Sequence, residues 1–106
     1  MKICIVGLGL IGGSLAKAIK KNTHESCFGI DIDRGTIAGA LAQEAIDGEM
    51  TIDDLAACDV VIVGLHPEAT IKFITENAGK FKKGGIVLDT CGVKGEIVRA
   101  VEGVCI

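Results

Sequence analysis

Three glycines near the start of the chain have a spacing that suits the binding of a diphosphate. Gly7–Gly12 reads G-x-G-x-x-G and directly follows the apolar run Lys2–Val6. In such a loop Gly7 permits a tight turn, Gly9 lets the backbone approach a pyrophosphate, and Gly12 allows the helix to pack closely on the strand. The helix that begins here offers free N–H groups to the phosphates. The alternative is a plain strand-to-helix turn, and the candidate contacts are Gly7, Leu8, Gly9, Leu10, Ile11 and Gly12.

A carboxylate at the end of the second apolar run is the expected partner of a ribose. Asp31 closes the segment CFGID, at the ~20-residue spacing that dinucleotide-binding folds use. Its carboxylate would accept hydrogen bonds from both ribose hydroxyls and repel a 2′-phosphate, which favours NAD over NADP. Arg34 leaves two alternatives open, because an arginine can neutralise that phosphate or stack on adenine, or can simply be solvated. Ile32 and Arg34 join Asp31 as candidate contacts, and Asp33 suits the N-cap of the next helix.

The loop after the third long strand is the next candidate. Ligands of open parallel sheets bind beyond the carboxyl ends of the strands, and we expect this strand to neighbour the first one. Leu65, His66 and Pro67 are therefore predicted to lie beside the nicotinamide half of a cofactor and to contact it through the backbone. For His66 we favour a place at the start of a helix over a catalytic role. His24 is expected to be exposed in a loop.

Apolar runs of strand length alternate with longer segments at helical spacing, which predicts βαβ units and a parallel sheet. The expected strands are 2–6, 26–31, 59–64 and 85–89, with a short edge strand at 49–51 and the start of a sixth strand at 104–106. The expected helices are about 11–22, 36–45, 67–78 (ended by Gly79) and 93–101, with one helical turn at 53–57. The predicted fold class is α/β, a doubly wound parallel sheet of the Rossmann, NAD(P)-binding type. We expect residues 1–106 to form one such domain, truncated at the start of the sixth strand.

Composition excludes several other classes of function. Eleven Lys and Arg against fourteen Asp and Glu give a net charge of −3, and aromatic residues are only 3%, so no nucleic-acid partner is expected. No apolar run has the length of a membrane span or the form of a signal peptide. The five cysteines are scattered without a C-x-x-C pair, which predicts small buried thiols in a reducing compartment and no metal site. We therefore expect a cytoplasmic protein.

Four segments, in this order, resemble the dinucleotide-binding half of prephenate and arogenate dehydrogenases. They are GLGLIGGSLAKAIK, the strand end GID, DVVIVGLHPEAT and VLDTCGVKGEIVRAV, and together they extend the resemblance over essentially the whole chain. The resemblance implies NAD-dependent oxidative decarboxylation of prephenate or arogenate in tyrosine biosynthesis. It also implies that Pro67 and Thr70 belong to a loop beside the nicotinamide and the adenosine ribose. Asp89, which begins the segment in which the family usually reads D-x-G-S-V-K, is a further candidate contact of the cofactor.

The same resemblance implies that this chain holds no catalytic residue. The serine with which the family positions its substrate falls on Gly92, and the catalytic histidine of the family is expected in a G-x-H-P segment beyond Ile106. The helical second domain, through which the parent enzyme is expected to form a homodimer, is expected to be missing as well. We therefore expect a NAD-binding domain that does not turn over its substrate alone.

Other functions remain open at this point. One is a non-catalytic module that senses NAD(H), since a binding fold does not prove an activity. A second is the cofactor domain of another dehydrogenase, such as a pyrroline-5-carboxylate reductase or a β-hydroxyacid dehydrogenase, for which the glycine segment alone would also serve. A third is a methyltransferase-like domain that binds S-adenosylmethionine, against which the segment 89–94 argues. The residues do not distinguish prephenate from arogenate.

Overall fold

The computed structural model describes residues 1–89, apart from the side chains of Leu10 and Ile11. Its strands are β1 (Lys2–Val6), β2 (Ser26–Ile30), β3 (Gly48–Glu49), β4 (Val60–Val63) and β5 (Ile86–Asp89). Its α-helices are α1 (Leu10–Asn22), α2 (Arg34–Ala42) and α3 (Pro67–Glu76), and two short 3-10 helices cover Ile52–Ala57 and Ala78–Lys80. Helices therefore separate the strands, as predicted from the alternation of strand-length apolar runs with segments at helical spacing.

The strands form one parallel sheet in the order β3-β2-β1-β4-β5. Strand β1 lies between β2 and β4, with Val6 opposite Ile30 on one side and opposite Val63 on the other. The β1–β4 neighbourhood confirms the expected place of the third long strand. Because every strand runs in the same direction, all of their carboxyl ends lie along one edge of the sheet, which we call the carboxyl edge. The opposite side is the amino edge.

The sheet is buried on both faces, which explains why its strands read as continuous apolar runs. Alternate residues of β1 point to opposite faces: Cys4 and Val6 belong to one hydrophobic cluster, and Ile3 and Ile5 belong to the other. Helix α3 contributes Ile74 to the first cluster, while α1 and α2 contribute to the second. The doubly wound α/β fold class is confirmed.

Several predicted boundaries were wrong by a few residues. Helix α2 begins at Arg34 because Asp33 caps it there, and it ends at Ala42, shortly before Glu44 adopts a left-handed φ of 56°. Strand β2 ends one residue before Asp31, and the edge strand is Gly48–Glu49. Gly79 does not cap α3, since Asn77 takes that position and Gly79 lies in the following 3-10 helix.

The predicted helix 93–101 and sixth strand 104–106 lie outside the described residues, as does Gly92. Within residues 1–89, no helix combines the length and the apolar character that a bilayer crossing requires. In the same range, no group of three or more His, Cys, Asp or Glu side chains is arranged to hold a metal ion.

Candidate functional site

The candidate contacts lie along the carboxyl edge, in segments that follow neighbouring strands. Residues 7–9 connect β1 to α1, residues 31–33 connect β2 to α2, and residues 64–66 connect β4 to α3. Asp89 is the last residue of β5 and pairs in register with Val63 of β4. The parallel topology therefore brings the predicted segments to the same edge of the sheet.

The glycine loop depends on the missing side chains of Gly7 and Gly12. Gly7 adopts a φ of 89°, which L-residues with side chains rarely reach, and its amide donates to the carbonyl of Ile30 at 2.8 Å. A Cβ on Gly12 would lie 2.0 Å from the carbonyl oxygen of Gly7. Such a contact is impossible without a backbone shift, so Gly12 lets α1 approach the end of β1.

Gly9 leaves the start of α1 open. It occupies the N-cap position without a side-chain cap, and the first turn of α1 holds no acidic residue. A Cβ at Gly9 would meet no atom of the described chain within 4 Å. The first amides of a helix have no partner within the helix, and here no side chain of the cap residue satisfies them. The arrangement is suited to an anion that approaches the backbone closely.

Asp31 fixes this loop to the segment after β2. One carboxylate oxygen accepts from the amide of Leu8 at 2.8 Å, and the other accepts from the amide of Asp33 at 2.9 Å. Each carboxylate oxygen has two lone pairs, so these bonds leave room for further donors such as ribose hydroxyls. Asp31 thus positions the glycine loop and also retains hydrogen-bonding capacity at the carboxyl edge.

Two neighbours of this carboxylate differ in their exposure. The side chain of Leu8 is only 5% exposed and lies over Gly29 of β2, where an added Cβ would be 2.4 Å from it. The amide of Leu8 donates to Asp31, so Leu8 supports the loop, and its predicted contact with a ligand stays a prediction. Ile32, in contrast, is 100% exposed beside Asp31. An apolar side chain in that position offers a surface that a planar base can cover.

The start of α2 is closed by its own side chains. Asp33 caps the helix and accepts from the amides of Gly35 at 2.9 Å and Thr36 at 3.3 Å, which confirms its predicted capping position. Arg34 forms an ion pair with Glu49 of β3. The sequence interpretation did not include Glu49. Its signal was its place in the predicted edge strand, next to the end of the strand that carries Asp31.

The loop after β4 is held by a buried hydroxyl. Thr70 is 0% exposed, and its hydroxyl donates to the carbonyl of Leu65 at 3.1 Å. Its amide donates to the carbonyl of His66 at 2.8 Å, and Pro67 is the first residue of α3, where its missing N–H costs nothing. Thr70 thus positions this loop, and its predicted contact with a cofactor stays a prediction. His66 is the exposed N-cap of α3, and His24 is exposed as expected.

An open cleft of about 300 Å³ lies beside the glycine loop, between α1 and α2. Its walls are mostly small or polar: Leu8, Gly9, Gly13, Ser14, Lys17, Thr36, Gly39, Ala40, Gln43 and Ala45. The sequence interpretation did not identify this cleft, because it depends on how two helices pack. It extends from Gly9 past Lys17 of α1 and along α2 to the residues that follow that helix.

Three cysteines contribute to the core rather than to this site. Cys4, Cys27 and Cys58 are free and buried, as the sequence predicts for them. Burial raises the pKa of the Cys27 thiol to about 11 and also raises the pKa values of the other two. These thiols are therefore protonated near neutral pH and poor nucleophiles.

The fold and the arrangement of residues at its carboxyl edge together define a class of protein domain. A parallel sheet whose central strand leads through a tight glycine loop into an uncapped helix, with an acidic residue after the adjacent strand, is a nucleotide-binding α/β domain of the Rossmann type. The profile of one family, "Prephenate dehydrogenase, nucleotide-binding domain", matches residues 15–106. The chain belongs to this family.

Individual relatives agree with that assignment. A prephenate dehydrogenase of Bacillus subtilis (strain 168) is 38% identical over 79 residues, which are 72% of this chain and 21% of the relative. A prephenate dehydrogenase structure from A. aeolicus, in complex with hydroxyphenyl propionate and NAD+, is 26% identical with a TM-score of 0.80. That superposition covers 98% of this chain and 38% of the other.

The fold is shared more widely. The structure of Synechocystis arogenate dehydrogenase matches 98% of this chain with a TM-score of 0.88 and 23% identity, and the match spans 37% of that protein. At this identity the likeness concerns the fold. The chain thus spans between about one fifth and two fifths of the length of these relatives.

Proposed function

We propose that this chain binds NAD across the carboxyl edge and serves as the cofactor domain of an enzyme that oxidatively decarboxylates prephenate or arogenate. The family assignment supports nucleotide binding, and the A. aeolicus relative was crystallised with NAD+. The activity belongs to the longer proteins of which this chain resembles one part. On its own, the chain is expected to bind the cofactor weakly and to turn over neither substrate.

The observation that carries the proposal is the open start of α1. Gly9 supplies no cap, no acid lies in the first turn, and nothing in the described chain fills the space over its α-carbon. A pyrophosphate placed there meets unpaired amides and the positive end of the helix dipole. The residues present therefore fit the phosphate part of a dinucleotide.

The neighbouring segments suit the rest of the molecule. Asp31 keeps acceptor capacity for the adenosine ribose, and the exposed Ile32 offers an apolar surface to adenine. The backbone of residues 64–66 borders the glycine loop, since a Cβ on Gly7 would lie 2.8 Å from the carbonyl oxygen of Gly64. We assign this border to the nicotinamide half, as the resemblance implies.

A preference for NAD over NADP is part of the proposal. The carboxylates of Asp31 and Asp33 both lie in the part of the site that we assign to the adenosine ribose, which we call the ribose end. A 2′-phosphate would add negative charge next to them, whereas a ribose hydroxyl would donate to Asp31. Bound NAD supplies the hydride acceptor; the residues of this chain bind and orient it.

The test compares two glycine-to-alanine substitutions, each of which adds one methyl group in open space. Gly9→Ala places it where the pyrophosphate approaches, while Gly79→Ala places it in the 3-10 helix after α3, outside the cleft. We expect Gly9→Ala to weaken NAD binding at least about tenfold, or ~1.4 kcal/mol, without unfolding the protein. Gly79→Ala should retain the affinity and gain roughly 0.4–1 kcal/mol of stability.

Calorimetric titration with NAD measures the affinities, and thermal melting with and without NAD checks the fold, because a ligand that binds only the native state raises the melting temperature. Equal NAD affinity in the Gly9→Ala and Gly79→Ala proteins would contradict the assigned pyrophosphate position. An unsubstituted chain that melts at the same temperature with and without saturating NAD would contradict the proposed function itself.

A further inference from the structure

An ion pair stands at the ribose end of the carboxyl edge. Arg34 is the first residue of α2, and Glu49 is the last residue of β3. Strand β3 pairs with β2 so that Glu49 lies opposite Gly29, and the amide of Met50 donates to the carbonyl of Gly29 at 2.9 Å. Backbone pairing therefore fixes the position from which the Glu49 carboxylate reaches the Arg34 guanidinium.

The other two carboxylates of this region already have backbone partners. Asp31 accepts from the amides of Leu8 and Asp33, and Asp33 accepts from the amides of Gly35 and Thr36. Among the described residues, Glu49 is the carboxylate that pairs with Arg34. The pair leaves the ribose end of the site with three carboxylates and one guanidinium, so its local charge is negative.

An arginine close to the end of the second strand is the group with which this fold can accommodate a 2′-phosphate. The guanidinium binds a phosphate best when an edge with two parallel N–H donors is free for a bidentate contact. Here one Nη2 donor of Arg34 is engaged by a carboxylate oxygen of Glu49. The structure thus holds an arginine suited to a 2′-phosphate and, beside it, a carboxylate that competes for it.

We infer that Glu49 is a positioning residue that sets the preference between the two dinucleotides. It holds the Arg34 guanidinium in an ion pair and so withholds it from a 2′-phosphate, and the site therefore favours a cofactor with free ribose hydroxyls. This inference depends on the proposed function, since it concerns the same nucleotide site. It assigns to a residue of β3 a role that the sequence motifs do not indicate.

The expected effect is modest because solvent screens the pair. The side chain of Arg34 is 67% exposed and that of Glu49 is 35% exposed. Exposed ion pairs contribute little and weaken in salt. Removing the Glu49 charge should therefore strengthen NADP binding about threefold to tenfold and change NAD binding less than about twofold.

The experiment titrates the 106-residue chain and its Glu49→Gln variant with NAD and with NADP, at low salt and in about 1 M salt, where the Debye length is ~3 Å. The ratio of the NADP and NAD dissociation constants is the readout, because a purely structural role of Glu49 would change both affinities together. We expect the ratio to fall in Glu49→Gln at low salt and the change to shrink at high salt.

Glu25→Gln is the matched control. Glu25 also takes part in an ion pair, with the terminal amine of Met1, and its side chain is 33% exposed, but it lies at the amino edge of the same sheet. Its substitution removes the same charge far from the ribose end. The NADP to NAD ratio of this variant should equal that of the unsubstituted chain.

A double variant, Arg34→Gln with Glu49→Gln, tests whether Glu49 affects NADP binding through Arg34. With the single Arg34→Gln variant as the reference, the added Glu49→Gln substitution should bring no gain in NADP affinity, because Glu49 acts through Arg34. A gain that persists without Arg34, an unchanged ratio in Glu49→Gln, or an unsubstituted chain that binds NADP as tightly as NAD would each overturn the inference. Failure of the unsubstituted chain to bind either nucleotide would instead overturn the proposed function.

Discussion

The two edges of the sheet use carboxylates in different ways. At the amino edge, Asp47 accepts from the amide of Cys27 at 2.8 Å and pairs with Lys20. Asp59 repeats the pattern, since it accepts from the amide of Lys2 at 2.8 Å and pairs with Lys82. Each of these two carboxylates ties a strand to a neighbouring segment, and a lysine neutralises it.

At the carboxyl edge, Asp31 also accepts from backbone amides, but among residues 1–89 no basic side chain forms an ion pair with it. A carboxylate that accepts from backbone amides therefore has a different role at each edge of the sheet. At the amino edge the carboxylates are neutralised and serve the fold, whereas at the carboxyl edge a charged acceptor keeps capacity for a ligand. The difference indicates that structural and binding roles are separated between the two ends of the same strands.

The largest expected effect concerns the backbone of the carboxyl edge. Gly12→Ala would bring a Cβ to 2.0 Å from the Gly7 carbonyl oxygen, so the loop must shift. We expect a loss of about 3 kcal/mol in the free energy of unfolding, measured by urea denaturation. Gly13→Ala is the control, because its Cβ would lie at an ordinary 3.5 Å from the carbonyl oxygen of Leu8. Equal stability of the two variants would contradict the close approach of α1 to β1.

The next prediction compares one carboxylate from each edge. Asp31→Ala leaves the amides of Leu8 and Asp33 without their acceptor, which should cost about 2 kcal/mol, and it should also reduce NAD affinity in calorimetric titration. Asp59→Ala should lower stability but leave NAD affinity unchanged, because Asp59 lies at the amino edge. Loss of NAD affinity in both variants, or in neither, would remove the distinction between the edges.

Much of this arrangement was predictable from the sequence, because it depends on local patterns. The period of apolar residues gave the order of strands and helices, and G-x-G-x-x-G after β1 indicated which loop would be tight. Asp31 was identifiable because the fold places an acid at the end of β2. Asp33 and Pro67 were identifiable because helix starts have strong residue preferences.

The remainder depends on contacts between distant segments. The burial of Thr70 and of the Leu8 side chain follows from packing against other elements, and sequence spacing does not report it. The pairing of Glu49 with Arg34 requires the register of β3 on β2. The sequence also misplaced the end of α3, because Asn77, rather than the glycine two residues later, ends the helix.

The amino edge should control the acid sensitivity of the protein. Hydrogen bonds from Lys20 and from the amide of Cys27 lower the pKa of Asp47, and those from Lys82 and from the amide of Lys2 lower the pKa of Asp59. A carboxyl with a lowered pKa in the folded state stabilises above the unfolded pKa of about 3.9. That stabilisation is lost as the pH falls through the lower folded value.

We therefore expect the free energy of unfolding to fall as the pH drops below about 4, and to fall less steeply in a variant with both Asp47→Asn and Asp59→Asn. Urea denaturation at a series of pH values measures this. Since the side chains of Asp47 and Asp59 are each 34% exposed, the difference should also decrease in high salt. An identical pH dependence in the two proteins would show that the amino-edge pairs do not govern acid stability.

The smallest expected effect comes from exchanging the caps of two helices at the carboxyl edge. Gly9 begins α1 without a cap, and Asp33 begins α2 with one. Gly9→Ser gives α1 an acceptor for its own amides, and it should gain a few tenths of a kcal/mol while losing NAD affinity. Asp33→Gly should lose a similar amount of stability, because glycine is itself a tolerable cap.

Urea denaturation of both variants measures the effect of each cap on stability, and calorimetric titration measures its effect on NAD binding. If Gly9→Ser stabilises the chain and weakens NAD binding, the unsubstituted chain leaves the amides of α1 uncapped at a cost in stability, and the ligand binds to those amides. A serine there that changes neither quantity would mean that the open helix start contributes nothing to binding. In that case the different N-caps of α1 and α2 would reflect only which residue the backbone at each helix start accepts.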